Sequence, residues 1–339
     1  MKKVTMADVA KEAGVSKSTV SQYLNKRYEH MGDETREKIR LAIEKLGYRP
    51  NYIARSLKQK RTAMIGIIVA NIMHGISTEI SRAIEDFCHE HDMHAIVCNA
   101  DDDPVKERKY IEMLRARQVD GLIIFPTGEN IELYKQMEQE RYPVVFVDRK
   151  VTDVNISTVV VNNKEAVYEA VSHLIKNGHR DIAMVTPPLT IYPRMERVKG
   201  YKQALEDHNI PIKQAFMISA EVKNIVNHLE AMVALPKKPT ALVAANDLSF
   251  FEVMKFIKKH RILIPNDLAV IVFDNIPFAS IASPTITTIA QPAYDMGKKA
   301  AELLLKQVNE ERVDSKLYTF PCTLVIRESS VGGSAKGNQ

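Results

Sequence analysis

Apolar positions in the first fifty residues recur at helical spacing, but in bursts too short for one long helix. Val9, Ala10 and Ala13 form one stripe, led in by Thr5 with Asp8 three residues on, the pattern of a capped helix start. Gly14 supplies the break, where a residue without Cβ takes a positive φ cheaply. Ser16 then caps a second helix whose Val20 and Leu24 face inward, leaving Lys17, Ser18, Ser21 and Gln22 on its outer side. A third helix is predicted from about Asp33 to Leu46, with Ile39, Ala42, Ile43 and Leu46 on one face and Gly47 closing it. A short helix pair joined this way is a helix-turn-helix, the geometry that offers the second helix to a DNA major groove. Pro50 ends what precedes it and can open a further basic helical turn over residues 51–58. Eight residues are too few for a stable lone helix, so this segment is expected to order only against DNA or a partner subunit.

From residue 62 the period changes. Residues 63–70 form a continuous apolar run, as a strand buried on both faces does, and similar runs follow at 95–98, 121–125, 144–147 and 158–161. A second series comprises 182–185, 216–218, 241–244 and 269–273. Strands alternating with helical stretches in two blocks predict an α/β core of two doubly wound lobes behind the N-terminal all-α domain. Ligands of such sheets sit outside the carboxyl ends of the strands. The polar residues just after the runs are therefore candidates: Asn71, Asn99, Thr127, Asp148, Asn246 and Asp274.

Charge supports the first part of this picture. Residues 1–62 hold 15 Lys and Arg against 7 Asp and Glu, while the whole chain of 339 residues is only +5, so the remainder is net negative. Positive charge gathered at one end is what a phosphate-binding module requires; the alternative is a small helical domain with a solvated basic face. No apolar run approaches the roughly 20 residues of a membrane span, and no apolar segment follows Lys2 and Lys3 as a secretory signal would need. Cys88, Cys98 and Cys322 are odd in number and unpaired in spacing, which suits a reducing cytosol. His89, His91 and His94 do not converge on one helical face and read as solvated surface, not as a metal site. No glycine-rich phosphate loop, nucleophile elbow or zinc-protease motif is present, so neither a cofactor nor catalysis is expected.

Beyond these local signals, the sequence resembles the LacI/GalR family of bacterial transcription regulators over nearly its whole length. The matching motifs include Val4-Thr with Asp8-Val-Ala, Ala13-Gly-Val-Ser, Thr19-Val-Ser, Thr35-Arg-Glu-Lys-Ile and Gly47-Tyr-Arg-Pro-Asn with Ala54-Arg-Ser-Leu. In the core they include Val119-Asp-Gly-Leu-Ile-Ile, Pro143-Val-Val-Phe-Val-Asp-Arg, Gly178-His-Arg-Asp-Ile-Ala, Ala245-Asn-Asp, Phe273-Asp and Gln291-Pro. The resemblance implies a helix-turn-helix domain over 1–49, a hinge over 50–61 and a periplasmic-binding-protein-like core over 62–332. In that core one lobe takes about 62–161 and 292–322, the other about 162–291 and 323–332, joined by three crossovers; residues 333–339 are a flexible tail without heptads. It further implies a cytoplasmic homodimer on a pseudopalindromic double-stranded DNA operator, switched by a small-molecule effector in the cleft.

By the same resemblance Lys17, Ser18 and Gln22 read bases, while Thr5, Ser16, Thr19, Ser21, Asn25 and Asn51 contact phosphates. In the hinge, Ala54 lies in the minor groove and Leu57 wedges into a base step, an unstacking that costs a few kcal/mol and is offset by contacts to the bent DNA; the alternative for Leu57 is ordinary packing. The effector contacts implied are His74, Ser77, Asn99, Thr127, Asp148, Arg194, Arg197, Asn246 and Asp274, with Gln291 at the lobe crossover. Three departures from the family pattern matter. Gln22 stands where Arg is usual, and Gln pairs bidentately with adenine where Arg prefers guanine, so an A·T pair is expected there. Gly32 replaces a serine cap in a loop one residue longer. The first-lobe mouth, Asn71-Ile-Met-His-Gly-Ile-Ser77, lacks the family's aromatic shelf, while Arg194 and Arg197 keep the cleft cationic. A guanidinium fork suits a carboxylate or phosphate, which points to a sugar acid; alternatively Arg197 only pairs with Asp148 or Asp274. The wording of the second helix is similar to the ketodeoxygluconate (KdgR-type) regulators. The reading is thus a repressor of a carbohydrate or sugar-acid operon released by its effector. Its rivals are a catabolite-control-like regulator using a phosphoprotein corepressor, and, from another class, a sugar-acid-binding protein or enzyme.

Overall fold

A computed structural model describes residues 4–29, 31–48, 61–311 and 313–331. It divides into two compact units, residues 1–62 and 63–339. The first holds helices α1 (Met6–Ala13), α2 (Lys17–Leu24) and α3 (Asp33–Leu46). The α1 start is fixed by Asp8, whose carboxylate accepts from the Thr5 N–H at 2.8 Å and the Thr5 hydroxyl at 2.7 Å. Gly14 and Gly47 end their helices at φ of 65° and 58°, conformations that cost a residue with a Cβ. Val9, Val20 and Ile39 are fully buried where the three helices meet. Gly32 offers α3 no side-chain cap, and Asp33 and Glu34 in its first turn complement the exposed N–H groups instead. The expected hinge, with Asn51, Ala54 and Leu57, and the tail lie outside the described residues.

The second unit contains two parallel-type sheets. The first has the order β11-β5-β4-β3-β1-β2, from β1 (Met64–Val69), β2 (His94–Asn99), β3 (Gly121–Ile124), β4 (Val144–Val147), β5 (Thr158–Val161) and β11 (Leu317–Phe320). The second runs β12-β10-β9-β8-β6-β7, from β6 (Ile182–Thr186), β7 (Met217–Ser219), β8 (Ala241–Ala244), β9 (Ala269–Phe273), β10 (Thr287–Ala290) and β12 (Thr323–Val325). Among the described residues only the β10–β12 pair is antiparallel. The central strands β1, β3, β4, β6, β8 and β9 are almost wholly buried, which is why they read as unbroken apolar runs.

Helices α4 (Gly75–Glu90), α5 (Pro104–Ala116) and α6 (Ile131–Gln139) belong to the first lobe; α7 (Asn163–Lys176), α8 (Tyr192–Asp207), α9 (Ile225–Val233) and α10 (Asp247–His260) belong to the second. The chain passes between lobes after β5, after β10 and after β11. Two crossings are tied together, since the Cys322 N–H donates to Asn162 Oδ1 at 2.7 Å. After the second crossing α11 (Ala293–Val308) returns to the first lobe and packs on α4. That approach needs Gly297, because a Cβ there would fall 2.6 Å from the Ile80 carbonyl oxygen. Strands β10, β11 and β12 escape the apolar-run criterion for a physical reason. β10 buries Thr287 and Thr288, while β11 and β12 are half-exposed edge strands. Among the described residues no helix is long and apolar enough to cross a membrane.

Candidate functional site

In the helical unit, Val20 anchors α2 to the core and so turns Lys17, Ser18 and Gln22 to solvent together. Ser16 holds the helix start, accepting from the Thr19 N–H at 3.1 Å while its hydroxyl meets those of Ser18 and Thr19. At the other end the Asn25 side chain donates to the Ser21 carbonyl at 2.7 Å. The expected base-reading residues therefore share one exposed face, and the expected phosphate residues Thr5, Ser16, Thr19, Ser21 and Asn25 sit at helix starts, on α2 or at its C-cap. Tyr28 braces the α2–α3 loop, lying edge-on to Tyr23 and under the Arg36 guanidinium at 4.3 Å.

In the second unit, one cavity lies between the lobes at the carboxyl ends of their strands. Its first-lobe side includes His74, Ser77, Asp148 and Arg149, and its second-lobe side Arg194, Arg197, Asn246 and Asp274. Seven of the expected effector residues thus converge, with Arg149 added. The cavity measures about 40 Å³, on a scale where one water needs roughly 10–15 Å³. The lobes meet across it, His74 of the first touching Asp247 of the second.

Each group is held by identifiable partners. Arg197 is buried; its Nε donates to Asn163 Oδ1 at 2.7 Å, its Nη1 to the Ala245 carbonyl at 2.6 Å, and its guanidinium lies 3.5 Å from the Phe273 ring centroid. It forms no direct ion pair with Asp148 or Asp274, although its charge pulls the Asp274 pKa down. Arg149 Nη2 meets Asp102 at 2.6 Å, with Asp148 3.6 Å from its Nε. Arg194 donates to the Pro188 carbonyl at 3.0 Å and weakly to Thr190, and among the described residues no carboxylate is ion-paired with it. Burial, then the Arg149 charge, hold its pKa down to about 10. Asn246 uses its Oδ1 to cap α10, accepting from the Ser249 N–H at 3.0 Å, which leaves its amide nitrogen for a ligand. Asp148 and Asp274 follow β4 and β9 at φ of 68° and 107°, backbone strain of the kind found where a side chain must face a site.

Asp274 is buried and accepts from the Asp247 N–H at 3.0 Å and the Gln291 amide at 2.5 Å. Burial, together with the Asp247 charge, pushes its pKa up to about 6 against the pull of Arg197. Asp247, the first residue of α10, bridges to the first lobe. Its Oδ1 lies 2.6 Å from His74 Nδ1, and its Oδ2 accepts the Gly75 N–H at 3.0 Å. Burial opposes both charges, but the mutual hydrogen bond and charge win, raising the His74 pKa and lowering that of Asp247.

Three expected residues lie elsewhere. Asn99 is turned into the neighbouring loop, accepting from the Ile72 N–H and donating to Asp101. Thr127 belongs to a buried network in which Glu107 takes its N–H at 2.7 Å as well as Tyr134 and Asn130. Gln291 stands behind Asp274 instead of lining the cavity. A strand-end rule locates a residue but not the direction of its side chain. The cavity lining also includes an aromatic, Phe125, so the cleft keeps one although its first-lobe mouth segment has none. Arg149, Asp247 and Phe125 went unselected as site residues, although Arg149 and Asp247 stand beside selected aspartate and asparagine.

The sequence matches the family model for bacterial regulatory proteins of the lacI family over residues 5–51 and that for a periplasmic binding protein-like domain over residues 171–330. It is 45% identical over 313 residues to the probable HTH-type transcriptional regulator EndR of Paenibacillus polymyxa, covering 91% of this chain and 92% of that one. The chain belongs to the LacI family. This LacI-family regulator is also 32% identical to the transcriptional regulator KdgR of Bacillus subtilis, over 96% of the chain and 97% of KdgR. Since EndR is the more similar of the two, overall likeness does not single out ketodeoxygluconate. The fold matches the crystal structure of the lac repressor dimer bound to operator, with a TM-score of 0.86, 26% identity, and coverage of 98% and 100%. The protein is accordingly a helix-turn-helix transcription regulator with a two-lobe α/β core, of a family that binds operator DNA and small-molecule effectors.

Proposed function

We propose that this regulator is a repressor of a carbohydrate or sugar-acid catabolic operon, acting in the cytoplasm as a homodimer and released from its operator by a small sugar acid. The observation that carries the sugar-acid part is Arg194. It is a guanidinium in the cleft, beside a second one, with its charge unanswered by any ion-paired carboxylate among the described residues. Arg194 is only partly buried, and its pKa stays depressed although the Asp102 and Asp148 charges act to raise it; an anionic effector would add a directly paired charge. Asn246 and Asp274 would take its hydroxyls, and Phe125 would pack against its carbon face. The cavity holds about 40 Å³, so such a ligand would need the lobes to shift to seat fully, and would prefer one lobe arrangement over another. That differential preference is what lets it shift the protein away from the DNA-binding form.

On the DNA side, Lys17, Ser18 and Gln22 would read bases and the hinge would place Ala54 and Leu57 in the minor groove. The dimer reading is supported by an exposed apolar cluster on the second lobe, where Phe251 and Phe278 lie 6.2 Å apart with Ile281 82% exposed alongside. The test is a titration of purified protein on a selected operator fragment with D-gluconate, 2-keto-3-deoxy-D-gluconate and D-glucose. Release by an acid but not by glucose supports the reading; release by glucose alone, or by none of them, overturns it.

A further inference from the structure

Among the polar contacts that join the lobes, the one between Asp247 and the start of α4 has the chemistry of a bound carboxylate. Asp247 reaches from the second lobe to the start of α4 in the first. One oxygen receives the His74 Nδ1–H at 2.6 Å, and the other receives the Gly75 N–H at 3.0 Å. His74 and Asp247 are 173 residues apart in sequence, and their side chains are 13% and 7% exposed. A helix start of sixteen residues with an imidazolium beside it is a ready anion site, and an internal carboxylate already sits on it. We propose that His74 and the Gly75 amide form the carboxylate subsite of the effector cleft, and that Asp247 is a built-in stand-in that holds the lobes closed until the effector's carboxylate displaces it.

The surroundings fit this role. Asp247 is itself aimed by Asp274, which takes its N–H, so its carboxylate is presented from a second-lobe anchor. His74 lines the cavity, and Asp274 and Asp102 are the other acids whose charge favours its protonated form. The Asn275 amide, which reaches Glu79 of α4 at only 3.3 Å, is a weaker bridge nearby. Displacing Asp247 therefore removes the main polar tie across the cleft while giving the incoming anion the same two donors.

This inference rests on the sugar-acid reading for its ligand but makes a distinctive claim about signs. Removing the stand-in and removing the receptor should act in opposite directions on effector affinity. By calorimetric titration with 2-keto-3-deoxy-D-gluconate and D-gluconate, Asp247→Asn should bind the acid at least about tenfold more tightly than wild type, and His74→Gln at least about tenfold more weakly, each a difference of about 1.4 kcal/mol. Both variants should loosen operator binding without ligand. Changes of the same sign in the two variants, or none, would overturn the proposal. A second probe needs no effector: formate, followed through the His74 ring resonances by NMR, should saturate in Asp247→Ala at concentrations that leave wild type unmoved. Formate that fails to bind Asp247→Ala overturns the subsite outright. Formate binding in Asp247→Ala with no sugar acid bound by any form supports the subsite and refutes the effector reading alone.

Discussion

Replacing Arg194 by glutamine should make the ligand-free core slightly more stable and the cleft a poorer anion binder. Burial and the Arg149 guanidinium hold the Arg194 pKa down to about 10, against an ordinary value above 12. Below pH 10 the group is charged in both folded and unfolded chains, so the depressed pKa is a penalty on the folded state of about 3 kcal/mol. Part of the side chain meets solvent, and screening reduces this to about 1–2 kcal/mol. Against it stands the 3.0 Å hydrogen bond to the Pro188 carbonyl, worth about 1 kcal/mol. The balance is a gain between zero and about 1 kcal/mol, or a rise of up to about 2–4 °C in the melting of a core this size. The same change removes a charge-assisted contact of about 1.5–3 kcal/mol from a bound carboxylate, a roughly ten- to hundredfold loss of affinity. Scanning calorimetry and a gluconate titration on one preparation read both effects. A variant that melts several degrees lower and binds gluconate as before would refute the claim that Arg194 is held for an anion.

Gln22→Arg should move operator preference from A·T to G·C at one pair of each half-site by about 1–3 kcal/mol, read by operator selection with both proteins; unchanged preference at every position would sink that assignment. Asp274 has a folded pKa of about 6, above its ordinary 3.8, chiefly through burial. Its contribution to stability is thus full below about pH 4 and lost as pH rises through 6, and urea unfolding of Asp274→Asn should lack that component of the slope. Gly297→Ala should destabilise the core by about 1–3 kcal/mol, because the new Cβ meets the Ile80 carbonyl and the Ala83 Cβ at 2.6 and 2.8 Å; a denaturation midpoint equal to wild type would show that α4 and α11 can part freely.

Much of the fold was legible because burial imprints a period. Val9, Ala10 and Ala13 on one helix face, or the apolar run 64–69 on a two-sided strand, cannot be exchanged for polar residues without exposing the core. The strands that stayed hidden are those with little to bury or with polar groups buried in pairs. Thr287, for example, sits in the second lobe with its hydroxyl 2.7 Å from that of Ser330 and its N–H bonded to Ser329. The cleft was legible only as positions. The strand-end rule reached Asp148 and Asp274, and equally Asn99, whose side chain turns to Asp101, and Thr127, whose backbone N–H goes to Glu107. Which partner a side chain takes depends on residues far away in sequence, and no local pattern encodes the pairing of His74 with Asp247.

That pairing also changes how the missing aromatic shelf is understood. An aromatic mouth binds a sugar face by contact area and offers nothing to the lobes when empty. A histidine at a helix start instead attracts any carboxylate in reach, and Asp247 provides one from the opposite lobe. The closed state is then stabilised without ligand, and an effector must outcompete an internal group whose effective concentration is high. Such a competition raises the effector level needed for release, and it also rejects neutral sugars, which carry no group able to take Asp247's place on His74 and Gly75. Specificity for an acid and resistance to opening would have one physical source, a carboxylate site that is never left unfilled.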